Sequence, residues 1–168
     1  PTWEFLVCGL GEGAPKGCRH CPAEWESCSH ITGYCPVVQE ARIKRHNNIC
    51  GVLTEEAWRV GWEIYVESHL RDNNNELFKL DLIMVKGCCA KVVDVTVHYE
   101  SGVTTLSDAV AEKDRKYQHL VGEIRTLTSA NEIEFLGFPI GTRGKWCLGN
   151  DRLLSDFGVS TSHCKRVA

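Results

Sequence analysis

The sequence predicts a mixed α/β layer structure with a metal-held segment in front of it. Two observations carry that prediction. From Pro36 onward the hydrophobic pattern reads helix, three strands, helix, strand, an order that builds a sheet with helices packed on it. Before it, residues 1–35 are rich in Gly and Cys and show little periodicity, as expected of a loop region ordered by ligation.

Taken in order, Pro36 stands at a first helical position, and "PVVQEARIKRHNN" reads as a short helix. "LTEEAWRV" reads as a second, with Thr54 as N-cap, two Glu in its first turn and a stop at Gly61. "WEIYVESHL" then alternates, Trp62, Ile64 and Val66 on one face and Glu63, Tyr65 and Glu67 on the other. "RDNNNE" is a turn by composition. Two apolar, β-branched strands follow over 77–85 and 89–99, separated by Lys86-Gly87-Cys88. "VTTLSDAVAEKDRKYQHLVGEI" is helical, with Leu106, Val110, Tyr117, Leu120 and Val121 near one face. A weaker strand over 132–138 precedes a loop and one last short helix. The expected division is a zinc-finger region with its following helix over 1–50 and an α/β domain over 51–168.

With 168 residues the chain can bury a core, and its net charge of −3 is not that of a freestanding nucleic-acid binder. Contacts with phosphates must therefore come from local clusters. No apolar run reaches the ~18–20 residues of a membrane span, so no membrane partner is expected. The chain starts Pro1-Thr2-Trp3 and meets a motif almost at once, which reads as a piece of a longer polypeptide. Nothing marks secretion, so the ten Cys suggest thiols and metal rather than disulfides.

Two constellations carry chemistry. The first is Cys18-x2-Cys21-x8-His30-x4-Cys35, two tight turns that each present two ligands, as a tetrahedral zinc site needs. Cys28 offers an alternative third ligand. The second is a pair of acids, Asp81 and Asp94, each in the middle of a strand that otherwise reads as core. A buried carboxylate is costly unless it is paired or bound to a cation. Two of them on adjacent strands make an oxygen-rich pocket suited to Mg²⁺. The alternative is a solvent-facing strand surface, with Leu80, Leu82 and Met84 turned to the core and Asp81 and Ile83 turned away. Thr96 stands where a lysine often completes such a site, and Lys113 and Lys116 on the next helix share a face and offer replacements.

At this point the sequence resembles a known family. "KLDLIMVKGCCAKVVDVTVHYE" followed by "AVAEKDRKYQHL" is similar to the restriction-like endonuclease domain of site-specific non-LTR retrotransposons that insert into ribosomal RNA genes. The family pattern of Lys-Pro-Asp, a strand with Asp-Val, and a helix with Lys-x-x-Lys-Tyr falls on Lys79-Leu80-Asp81, Asp94-Val95, Lys113 and Lys116-Tyr117. The finger, Arg45-His46, "GWEIYVESH" with Glu67, and "GFPIGTRGKW" extend the likeness from about Cys18 to Leu154. Leu80 replaces the family's Pro, which provides no ligand.

The resemblance implies a PD-(D/E)xK restriction-endonuclease-like core, a mixed sheet flanked by helices, behind a CCHC zinc finger. It implies Asp81, Asp94 and the carbonyl of Val95 as holders of Mg²⁺ or Mn²⁺, Lys113 or Lys116 in the role of the displaced lysine, and Glu67 as an additional group. Structural Zn²⁺ would sit on Cys18, Cys21, His30 and Cys35. Arg45, His46, Arg143 and Lys145 would contact DNA, with Trp146 for stacking. The implied activity is nicking of double-stranded target DNA in the nucleus. The 3′-hydroxyl so made would prime reverse transcription of the element's RNA by the rest of its polyprotein. Rival expectations are a nucleic-acid-binding module that no longer cuts, and a resolvase-like nuclease on branched DNA.

Overall fold

The computed structural model describes residues 17–100, 102, 106, 108, 111, 115–162 and 165. Its long segments divide into two units between Arg45 and His46. In the first, a π-helical turn His30–Tyr34 and a 3₁₀ turn Pro36–Val38 lead into helix α1, Gln39–Arg59, which runs across the division. Expected as two helices, α1 is one. Thr54 reads as an N-cap, and the Asn47-Asn48 pair and Gly51 have low helix propensity. Ile49, Cys50, Leu53 and Ala57 repeat at helical spacing and are all buried, and that burial outweighs the local preference.

The second unit is built on a four-stranded mixed sheet in the order β1-β2-β3-β4, with β1 Glu63–Arg71, β2 Leu77–Lys86, β3 Cys89–His98 and β4 Glu132–Gly141. β1, β2 and β3 are antiparallel neighbours, and β4 lies parallel to β3. The β1–β2 turn is held by Asp72, whose Oδ1 accepts from the backbone N–H of Asn74 at 2.9 Å and of Glu76 at 2.8 Å. β2 and β3 are joined through Gly87-Cys88. Gly87 has φ +61° at the first central position, where a type II′ hairpin needs glycine.

A parallel β3–β4 pair requires a crossover, supplied by the segment that carries Leu106, Tyr117, Leu120 and helix α2, Val121–Thr128. Leu106, Tyr117 and Leu120 are buried as expected and Val121 is half-buried, while Val110 lies outside the described residues. Helix α3, Leu148–Phe157, closes the chain's fold. Its buried Asn150 donates to the Pro139 carbonyl at 2.9 Å, and Trp62 Nε1 donates to the Phe157 carbonyl at 3.0 Å. Pro139 is tolerated because β4 is an edge strand.

The sheet is covered on both faces. On one, Leu82, Met84, Val93, Val95, Phe138 and Ile140 pack with α1 and α3. On the other, Ile83, Val85, Ala90 and Val92 pack with Tyr117, Leu120 and Ile124 of the crossover. The expectation that Ile83 might turn to solvent is therefore corrected, since it is fully buried. Among the described residues no helix is long and apolar enough to cross a membrane.

Candidate metal centre and acidic cleft

In the first unit, donor atoms of Cys18, Cys21, His30 and Cys35 all lie within 4.8 Å of one another. Cys21 Sγ stands 3.2 Å from His30 Nε2, close to the ~3.5 Å edge that tetrahedral Zn–S and Zn–N bonds define. Cys28, one turn earlier, is buried outside the cluster. The set can hold a metal such as zinc. What braces it is not visible in the ligand spacing. Arg19, inside the first turn, sends its backbone N–H to Glu26 Oε2 at 2.9 Å and its guanidinium to Oε1 at 2.6 Å. These bonds hold the Glu26 carboxyl well below the usual range, down to about 2. Arg42 donates to the Cys35 carbonyl at 3.0 Å and so caps the last ligand's peptide.

The second unit places Asp81 and Asp94 one step beyond the last paired residues of the β2–β3 ladder, Leu82 and Val93, at the point where the strands part. The β1–β2 ladder also skips one pair, between Val66↔Leu82 and Ser68↔Leu80, which is Glu67 opposite Asp81. Glu67 there has φ +49°, a left-handed conformation uncommon for a residue with a side chain. Alternation along β2 breaks at the same point. Leu80 packs with Ile83, three residues on, although strict alternation would put them on opposite faces. The local rearrangement frees the Asp81 carboxylate to meet α1.

Asp81 Oδ2 accepts from the Val95 N–H at 2.9 Å, which ties it to the residue after Asp94. His46 Nε2, on α1, stands 3.2 Å from Asp81 Oδ2 and 3.1 Å from the Val95 carbonyl oxygen. The carboxylate, and then Cys50 one helical turn on, push the imidazole up to about 11. The imidazole Nε2 thus sits where a carboxylate and a main-chain carbonyl converge. His46, expected to touch DNA, is instead spent on Asp81, and Arg45 beside it is half-buried.

Asp94 is buried and receives the Tyr117 hydroxyl on Oδ1 at 2.9 Å. Burial, and the charge of Asp94 after it, raise the Tyr117 phenol above its ordinary range. Lys116 donates to the same hydroxyl at 2.7 Å, so one candidate lysine is linked to Asp94 through a single tyrosine oxygen. Lys113 lies outside the described residues. Glu67 pairs with Lys79 at 2.8 Å, and it shares with His46, Cys50, Thr54 and Asp81 an open cleft of about 310 Å³.

Beyond the same end of the sheet, where β3 and β4 finish, Arg143 and Lys145 are exposed on the turn after β4. Arg143 lies 3.4 Å from Glu100 and stacks over Tyr99. Trp146, expected to stack on bases, is packed edge-on against Phe138 with Lys165 over its ring. Its indole completes the core rather than standing free.

No protein-family model matches the chain. Over 147 residues, 86% of its length, it is 31% identical to a Retrovirus-related Pol polyprotein from type-1 retrotransposable element R2 of Popillia japonica. A second such polyprotein from that organism is 32% identical over 132 residues, and a third is 37% identical over 83. The chain is homologous to R2 Pol polyproteins. It spans only 30%, 18% and 14% of these relatives' lengths, so it corresponds to one segment of a much longer protein.

Proposed function

We propose that this chain is a metal-dependent DNA endonuclease with a PD-(D/E)xK core, acting as part of a retrotransposon polyprotein. It would nick target DNA in the nucleus and leave a 3′-hydroxyl for the polyprotein's reverse transcriptase to extend on its RNA. The observation that carries this reading is the meeting of the Asp81 carboxylate and the Val95 carbonyl at one point, His46 Nε2, with the buried Asp94 next to Val95 in the chain. Carboxylate and carbonyl oxygens are the donors that Mg²⁺ and Mn²⁺ take, so the residues fit such an ion. When bound, the ion would supply Lewis acidity and a water acidic enough to attack a phosphate in line.

The chain's own residues do the rest. Asp81 and Asp94 concentrate negative charge at the parting of two strands, and the Val95 carbonyl adds a fixed dipole. Tyr117 keeps the Asp94 carboxylate oriented, and Lys116 supplies a positive charge two hydrogen bonds from it, able to offset charge that develops on the phosphate. Lys113 is the other candidate for that role. Glu67 shapes the cleft from the β1 side. Arg143 and Lys145, with Arg45, would contact backbone phosphates. With a net charge of −3, affinity and sequence preference should be weak without the rest of the polyprotein.

The test is conversion of supercoiled plasmid to open circle with Mg²⁺ or Mn²⁺. Nicking by the wild-type chain that falls at least a hundredfold in Asp94→Ala supports the reading. DNA retention with no wild-type nicking sinks it and favours a binding module, which the Thr96 position, empty of a lysine, would suit. Strong preference for a cruciform over linear DNA would point instead to a resolvase-like enzyme.

A further inference from the structure

His46 and Cys50 are four residues apart on α1 and so present their side chains from one face, one turn from each other. Asp81 reaches the same point from β2, and donor atoms of the three residues lie within 4.8 Å of one another. Cys50 Sγ is 3.8 Å from His46 Nδ1 and 4.0 Å from Nε2, and Nε2 is 3.2 Å from Asp81 Oδ2. A tetrahedral ion with ~2.0–2.3 Å bonds to N, O and S needs ligand-to-ligand edges of about 3.3–3.6 Å. The His46–Asp81 edge already matches that figure, and the Cys50 thiol, 3.8–4.0 Å from the ring nitrogens and within 4.8 Å of the Asp81 carboxylate, needs only a small side-chain movement to close on an ion. The Val95 carbonyl, 3.1 Å from Nε2, offers a further oxygen donor.

We propose that His46, Cys50 and Asp81 form a second transition-metal site, selective for Zn²⁺-class ions and separate from the finger. Imidazole and thiolate are poor partners for Mg²⁺ and good ones for zinc and cobalt. A helical pair at i,i+4 with a third ligand from another element is a common way of building an open zinc site. The cleft beside Cys50 gives an ion a route from solvent. Asp81 would be shared with the Mg²⁺ position of the proposed nuclease. Bound zinc would then hold His46 against Asp81 and antagonise Mg²⁺-supported nicking. That consequence rests on the nuclease reading, whereas the site itself does not.

The experiment is a Co²⁺ titration of the metal-free full chain, followed by Zn²⁺ displacement. Thiolate-to-cobalt absorption reports each step. Two equivalents are expected. The second should carry about a third of the first step's charge-transfer intensity, because one thiolate binds there instead of three. Cys50→Ser should lose the second step and keep the first, and Asp81→Asn should weaken the second step at least tenfold with Cys50 intact. A wild-type chain that saturates at one equivalent overturns the proposal without any variant. So does a second equivalent that survives unchanged in Cys50→Ser, since Cys88, Cys89 or Cys147 would then be its ligand. Two Cys50-dependent equivalents in a chain that never nicks DNA would leave the site standing and remove only its link to cleavage.

Discussion

The two constellations differ in how they are assembled. The four donors of the Cys-His cluster, which could hold a metal as a finger, fall between residues 18 and 35, and each turn of backbone delivers two of them. The cleft gathers His46 and Cys50 from a helix, Glu67 and Asp81 from two strands, while Asp94 beside Val95 is held by Tyr117 of the crossover. A site of the first kind depends on its ion for shape. One of the second kind is held by a core that would exist without it. The difference predicts where each site's stability comes from: ligation in the first, burial in the second.

Metal removal should separate them most sharply. Stripping zinc from the finger withdraws on the order of 10–16 kcal/mol of binding free energy, comparable to all of a domain's stability. Limited proteolysis after chelation should cut within 17–38 and leave 62–157 resistant. Equal loss of protection in both would show that the sheet also leans on the metal.

Next in size is Gly141→Ala. An added Cβ would overlap the Glu100 carboxylate and lie 2.7 Å from Lys145 Cβ. A loss of about 1–3 kcal/mol in urea unfolding is expected, confined to the α/β unit, with zinc affinity unchanged. Tyr117→Phe should cost about 1–3 kcal/mol, because it leaves the buried Asp94 without the hydroxyl it now accepts from. It should also lower nicking more than it lowers the melting temperature would explain.

On the finger's side, Glu26→Gln weakens the brace on Arg19 and should raise the zinc dissociation constant about tenfold in a chelator competition. The smallest effect is expected for Lys79→Ala. Its pair with Glu67 is half-exposed on both sides, so unfolding should move by less than about 1 kcal/mol.

Much of this was legible before any coordinates. The Cys-x2-Cys spacing announced the finger because its ligands are neighbours in the chain, and β-branched runs announced β2 and β3. Two acids in apolar strands singled out Asp81, which lines the cleft, and Asp94, which is buried, since burial makes an unsupported carboxylate expensive. What could not be read were relations across the fold. Thr54 reads as the cap of a second helix, a local preference that packing on the sheet's apolar face overrides. Arg45-His46 looked like a basic pair awaiting phosphate, and His46 turned inward to Asp81. Trp146 looked available and is packed on Phe138. Cys50 drew no notice at all, although a His and a Cys four apart on one helix would have been a usable signal.

The sequence by itself determined which residues are short-range partners: ligands two or four apart, turn residues, and the alternation that makes strands. Only the tertiary structure decided that the ladders open on both sides of Asp81, and that a histidine 35 residues away closes on it. The physical reason is that hydrophobic burial is non-directional. A pattern of apolar residues says that a helix will cover a sheet, but the packing alone chooses which polar group it sets against which acid.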